Sequence, residues 1–162
     1  AEYELALTYY DRSPKYQLDQ SDTERAIVQF QLFITRYRDN PLIEDAQARI
    51  TELRGKLAQK QIHTAELYAT RGYHNAAAVS YEAAFDRFYD TEMADDALLG
   101  ALRSYYEYAK ASIRNRQMER LEMAESNYDR LIQIFPNSPL MKEAESIYVE
   151  VQAMMNSLQT TS

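Results

Sequence analysis

Residues 65–84 read AELYATRGYHNAAAVSYEAA, and this stretch decides the fold class. Ala77, Tyr81 and Ala84 are spaced by four and then three residues. Residues at these spacings lie on one face of an α-helix, so the pattern predicts a helix with a buried apolar face. Gly72 lies before this helix, where a glycine in the left-handed conformation would end a preceding helix. The stretch therefore predicts two helices joined by a tight turn.

The same spacing occurs three times, each time as Ala, an aromatic residue, an apolar residue and a second aromatic residue. The three sets are Ala26, Phe30, Phe33 and Tyr37; Ala77, Tyr81, Ala84 and Phe88; and Ala124, Tyr128, Leu131 and Phe135. A small Ala lets a neighbouring helix approach, and the aromatic rings fill the space further along. The recurrence predicts a helical repeat in which Tyr37, Tyr81 and Tyr128 are packed inside.

A second recurring motif follows each set and marks a corner between helices. The corners read RYRDNPLIEDA at 36–46, RFYDTEMADDA at 87–97 and IFPNSPLMKEA at 134–144. Asn40 and Ser138 each precede a proline, and Thr91 takes the same place in the middle copy, so all three are predicted to cap the next helix. Ser21, followed three residues later by Glu24, predicts a capping box at an earlier helix start.

Composition agrees with a helical protein and excludes several functional classes. The chain of 162 residues has a net charge of −7, three glycines and no cysteine. The lack of Cys excludes disulfides and cysteine zinc sites, and without a basic stripe we expect no nucleic-acid partner. No apolar run approaches the ~20 residues that span a bilayer. Catalytic motifs, phosphate-binding loops and metal-ligand spacings are also absent, so we expect no enzymatic activity, no metal and no cofactor.

These patterns predict an all-α protein, an α-solenoid of tetratricopeptide-like helix pairs with extended helices and a terminal capping helix. Helices are expected at 1–10, 21–38, 41–71, 75–89, 92–112, 118–135 and 139–158, with a loop at 11–20 and a connection at 113–117. We expect one repeat array over residues 1–162, with units at about 1–40, 41–91 and 92–138 and the terminal helix at 139–158.

The quoted stretch resembles the tetratricopeptide pattern. In that pattern a small residue and an aromatic residue on the first helix, here Ala65 and Tyr68, precede Ala, aromatic and Ala on the second. The corners are 51 and 47 residues apart, more than the ~34 residues of a plain repeat, which implies extended helices or loops. HEAT repeats, at about 40–47 residues, are the structural alternative, but they explain the Gly72 and Ala77 spacing less well.

Over residues 9–108 the chain resembles the BamD (YfiO) family, the lipoprotein member of the β-barrel assembly machinery of bacterial outer membranes. The likeness rests on the order of an Asp-Arg loop at 11–12, a corner ending in Asp45-Ala46, and Ala65-Glu-x-Tyr68 before the Arg71-Gly72 turn. The resemblance implies a scaffold at the periplasmic face of the outer membrane. Its implied partners are the POTRA domains of the barrel-forming subunit and other assembly lipoproteins.

The resemblance also implies an N-terminal lipid anchor as the means of membrane attachment. No lipidated Cys lies in this sequence, so we expect a fragment that lacks the family's N-terminal repeats, with the anchor upstream.

The resemblance, together with the exposure expected of a turn, places the partner contact at Arg71, Tyr73, His74, Asn75 and Ser80. Arg71 would offer a bidentate guanidinium group to a carboxylate of the partner.

A secondary contact is expected further along the chain, at Tyr105, Tyr108, Arg114 and Arg116. Three tyrosines crowd one helix around position 106 and cannot all face inward. Arg114 and Arg116 form a basic stretch within an acidic chain, which indicates a solvated helix face, a partner contact or contact with acidic lipid.

A different periplasmic tetratricopeptide adaptor, which binds an extended peptide in its groove, is the alternative function. The matching helix offers Gln61, Thr64, Tyr68 and Arg71, which is a sparse clamp for a peptide carboxylate.

Overall fold

The computed structural model describes residues 1–161, and this range forms α-helices and connecting turns without a strand. The helices are α1 (Glu2–Arg12), α2 (Ser21–Arg36), α3 (Ile43–Thr70), α4 (His74–Phe88), α5 (Ala94–Lys110), α6 (Arg114–Ile134) and α7 (Met141–Thr160). The predicted fold class, an all-α tetratricopeptide-like protein with a terminal helix, is confirmed.

The helix boundaries match the predicted ones closely except at the start of α6. The predicted connection at 113–117 is wrong, because α5 ends at Lys110 and α6 already begins at Arg114. Ile113 precedes α6 in an extended conformation, with φ −63° and ψ 149°. The residues after it are good helix formers, which explains the earlier start. Residues 114–117 therefore belong to α6 rather than to the connection before it.

The caps predicted at Asn40, Thr91 and Ser138 are wrong, because α3 begins at Ile43, and Met93 and Leu140 take the positions before α5 and α7. Asn40 accepts a hydrogen bond from the backbone N–H of Leu42 at 2.9 Å, and Ser138 accepts one from the N–H of Leu140 at 3.1 Å. These bonds lie within the turns that precede α3 and α7, where Asn and Ser side chains commonly bond to the backbone two residues on. Thr91 lies at the equivalent place, three residues before α5, and is buried.

The capping box predicted at Ser21 is wrong, because Gln20 takes the position before α2. Gln20 is buried, and its side-chain amide donates to the carbonyl groups of Lys15 at 2.7 Å and Leu18 at 2.9 Å. The N–H of Glu24 donates to the carbonyl of Gln20 at 3.0 Å. Ser21 is thus the first helical residue and cannot act as the cap.

The chain forms two compact units, and α3 contributes residues to both. Unit 1 comprises Ala1–Lys60 and Asp90–Glu92. Its buried core consists of Ala6, Ala26, Ile27, Phe30, Phe33, Ala46 and Leu53. Around this core, the Tyr10 hydroxyl donates to Glu52 at 2.9 Å, and Arg54 pairs with Asp90 at 2.9 Å.

Unit 2 comprises Gln61–Tyr89 and the chain from Met93 onward. Helices α4, α5 and α6 pack side by side, and α7 covers α6 and part of α5. The largest apolar side chains that are fully buried in this unit are Leu98, Leu102, Leu121, Leu131 and Val151. A continuous apolar core therefore holds in place the turns that connect these helices.

The repeat pattern correctly identifies most of the buried positions. Ala and the apolar residue of all three sets are buried, as are Phe30, Tyr81 and Phe88. Tyr128 is half-buried and stacks on Tyr148, with ring centroids 4.0 Å apart. The prediction that Tyr37 is packed inside is wrong, since Tyr37 is 45% exposed. Helix α2 ends at Arg36, so Tyr37 does not continue its buried face. The ring of Tyr37 packs against Phe33 at the surface, with ring centroids 5.4 Å apart.

Candidate functional site

The turn between α3 and α4 is closed by backbone hydrogen bonds around Gly72. Gly72 has a φ of +82°, in the left-handed region that glycine adopts readily. The N–H of Tyr73 donates to the carbonyl of Tyr68 at 2.9 Å, and the N–H of Gly72 donates to that of Ala69 at 3.0 Å. This pair of bonds is the Schellman arrangement, which ends a helix with its last carbonyl groups satisfied. The predicted stop at Gly72 is confirmed.

The turn exposes most of the residues predicted to contact a partner. Arg71, Tyr73 and Asn75 are exposed, with Tyr73 at 59%, and His74 is half-buried as the first residue of α4. Ser80 lies further along α4 and is half-buried. Its backbone carbonyl accepts a hydrogen bond from the side chain of Gln61 at 3.3 Å.

Arg71 differs from most other arginines because its side chain has no partner. Within residues 1–161, Arg71 and Arg38 are the arginines whose guanidinium groups make no ion pair, hydrogen bond or ring contact. Arg71 follows the last helical residue of α3, and its own backbone N–H is bonded to Leu67 at 3.2 Å. Its backbone is therefore held while its charge remains available.

A depression of about 410 Å³ lies beside this turn, within unit 2. Residues 72–76 form one wall, and Tyr108 and Ala111 from the end of α5 form the other. The guanidinium of Arg120 lies 3.8 Å from the centre of the Tyr108 ring and donates to the hydroxyl of Ser112. The depression is therefore lined by Tyr73, His74 and Asn75 of the predicted contact and by Tyr108 of the predicted secondary contact. Ser80 does not line it.

Tyr105, expected to take part in a secondary contact, is buried at 4% exposure. Its hydroxyl donates to the carboxylate of Glu82 on α4. Burial, followed by this hydrogen bond and the charge of Glu82, raises the pKa of Tyr105 above its ordinary value. Tyr105 therefore joins α5 to α4, and the prediction that it is available to a partner is wrong.

Arg114 and Arg116 lie in the first turn of α6 and are exposed. Arg114 donates to the hydroxyl of Thr161, and Arg116 pairs with Glu119 at 3.3 Å. Both arginines therefore have a partner on the surface of the protein itself.

One of the carboxylates at the start of α5 has a structural partner. Asp95, in the first turn of α5, accepts a hydrogen bond from Ser138 at 2.6 Å. Burial, and then the neighbouring charge of Asp95, raises the pKa of Asp96. No group of three or more His, Asp or Glu side chains within residues 1–161 is placed to hold a metal ion.

Comparison with known proteins identifies the family. A model of the YfiO family, described as outer membrane lipoprotein, matches residues 1–121, which include the α3–α4 turn and the whole depression. A comparison with curated proteins gives no match. None of the helices in the described range is long and apolar enough to cross a membrane. The match covers most of the chain, and we conclude that this protein belongs to the YfiO family of outer membrane lipoproteins.

Proposed function

We propose that this chain is a non-enzymatic scaffold of the β-barrel assembly machinery and binds the POTRA domains of the barrel-forming subunit. It would act at the periplasmic face of the outer membrane, together with other assembly lipoproteins. Family membership supports this role. A scaffold needs a fixed surface and several modest contacts rather than reactive groups.

The observation that carries the proposal is the unpaired charge of Arg71 on a hydrogen-bonded turn. An exposed guanidinium without an internal partner can form two parallel hydrogen bonds to a partner carboxylate. The hydrogen bonds around Gly72 hold the backbone beside it. Arg71, Tyr73, His74 and Asn75 are therefore the proposed POTRA contact, together with Ser80 further along α4.

Peptide binding in a groove, the alternative function, has weaker support. Gln61, one of the four clamp residues, already donates to the carbonyl of Ser80. Cations on α5 are also engaged, since Arg103 pairs with Glu143 and Lys110 pairs with Glu107. A peptide carboxylate would have to displace these partners, which lowers its gain in free energy on binding.

Calorimetry with two kinds of ligand tests the proposal. The chain is titrated with the purified POTRA array of the barrel-forming subunit from the same organism, and separately with extended peptides ending in a free carboxylate. We expect saturable binding of the POTRA array and none of the peptides. Saturable peptide binding without POTRA binding would support the groove function instead.

A further inference from the structure

Two stretches without a carboxylate meet at the depression. Residues 71–76 read RGYHNA and residues 108–116 read YAKASIRNR, and we name these two stretches the cationic edge. The edge contains Arg71, Lys110, Arg114 and Arg116 but no Asp or Glu, although the chain as a whole has 25 acidic residues and a net charge of −7. Members of both stretches line the depression, so the stretches are neighbours in space. Lys110 and Arg116 are paired with Glu107 and Glu119, so the uncompensated charges of the edge are those of Arg71 and Arg114.

The depression within the cationic edge has mainly apolar walls. Gly72, Ala76 and Ala111 leave space between the rings of Tyr73 and Tyr108. Arg120 stacks on the ring of Tyr108 and fixes that wall. An open depression with apolar walls can receive an aromatic or branched aliphatic side chain of a partner, and such buried anchors dominate the energy of many interfaces.

We infer that the cationic edge binds an acidic segment of a partner protein, and that the depression holds one large apolar side chain of that segment. Arg71 then pairs with a flanking carboxylate, since it is the edge's arginine without an internal partner. This inference rests on the proposed function and specifies the chemistry of the partner's contact segment. The uncompensated charges of Arg71 and Arg114 carry it, because Lys110 and Arg116 are already paired with Glu107 and Glu119.

An anionic lipid surface would also be attracted to cations. A flat headgroup layer, however, supplies no side chain for the depression between Tyr73 and Tyr108. We therefore assign the edge to a protein partner.

Filling the depression without changing its charge tests the apolar anchor. Ala111 is exposed and has a φ of −84°, which any residue adopts, so Ala111→Leu should fold normally. The matched control is Ala153→Leu at an exposed position on α7. In calorimetry with the POTRA array, we expect Ala111→Leu to bind about tenfold more weakly or worse. Ala153→Leu should bind like the wild type, and circular dichroism should be the same for all three proteins.

Salt and vesicles test the acidic character of the partner. Raising the salt from about 0.1 M to about 1 M shortens the screening length from about 10 Å to about 3 Å, so the affinity of the wild type should fall. If Ala111→Leu binds as tightly as the wild type, or if salt has no effect, the inference is wrong while the proposed function stands. If the wild type does not bind the POTRA array, both the inference and the proposed function are wrong. Binding of the wild type to phosphatidylglycerol vesicles, lost in Ala111→Leu, would overturn the assignment to a protein partner.

Discussion

The ring of Tyr81 on α4 lies in the space that a side chain at position 100 on α5 would need. Tyr81 is only 5% exposed and belongs to the core of unit 2, so its ring has no free space into which to move. Gly100 is therefore required by close packing of two helices rather than by backbone conformation.

We expect Gly100→Ala to lower the free energy of unfolding. Ala improves helix propensity by about 1 kcal/mol, but overpacking of a rigid core costs about 1–3 kcal/mol. Gly55→Ala is the matched control, because Gly55 lies within α3 and no atom is within 4 Å of the added methyl group. That change should stabilise by about 0.5–1 kcal/mol. Urea titration of both variants measures the difference, and equal stabilisation by both would contradict the packing constraint.

Substitutions at Gly72 should follow the order Gly, Asn, Ala in decreasing stability. A left-handed residue other than Gly costs about 1–2 kcal/mol, and Asn tolerates this conformation better than Ala. Thermal unfolding gives the order, and calorimetry shows whether POTRA affinity falls in parallel. An Ala variant as stable as the wild type would mean that φ at this position does not need to be positive.

Charge reversal at Arg71 should weaken POTRA binding, and Arg38 provides the control. Both arginines are exposed and lack a partner in the described part of the chain, but Arg38 lies in the corner before α3. We expect Arg71→Glu to lower affinity by about tenfold, which is about 1.4 kcal/mol, with helicity unchanged. Arg38→Glu should bind like the wild type. Unchanged affinity of Arg71→Glu would show that the contact lies elsewhere.

Tyr105 should make stability depend on pH in the alkaline range. Its pKa is raised in the folded state, so the folded protein keeps the phenol proton at pH values where the unfolded chain loses it. The contribution of the Tyr105 hydroxyl to the free energy of unfolding is complete below the pKa of an unfolded Tyr, about 10. It is lost as the pH rises further, towards the pKa in the folded state. We expect Tyr105→Phe to be less stable than the wild type near neutral pH, because the bond to Glu82 is missing. The difference in free energy of unfolding between the wild type and Tyr105→Phe should decrease above about pH 10. Urea titrations at several pH values measure it, and a constant gap would contradict the raised pKa.

Local sequence was sufficient to predict the α3–α4 turn. Gly72 comes directly after a helix-forming segment, and few other residues adopt its φ of +82°. The buried face of α4 followed from spacing alone, because 4-3-4 periodicity is a property of the helix itself.

Features that depend on distant residues could not be predicted in this way. Tyr105, Tyr106 and Tyr108 have the same propensities, and the acceptor on Glu82 helps fix which of them faces inward. The availability of Arg71 is likewise known only after the ion pairs of the other arginines are seen, such as that between Arg54 and Asp90, which are 36 residues apart. The POTRA contact and the division into repeat units stay predictions.

The hydrogen bonds that close the turn at Gly72 also bear on the kinetics of binding. Ordering a flexible segment costs about 1–2 kcal/mol of conformational entropy per residue, and a turn already ordered in the free protein does not incur this loss at the moment of contact. Association should then proceed without a folding step, in a single concentration-dependent phase. A substitution that loosens the turn should chiefly shorten the residence time of the partner.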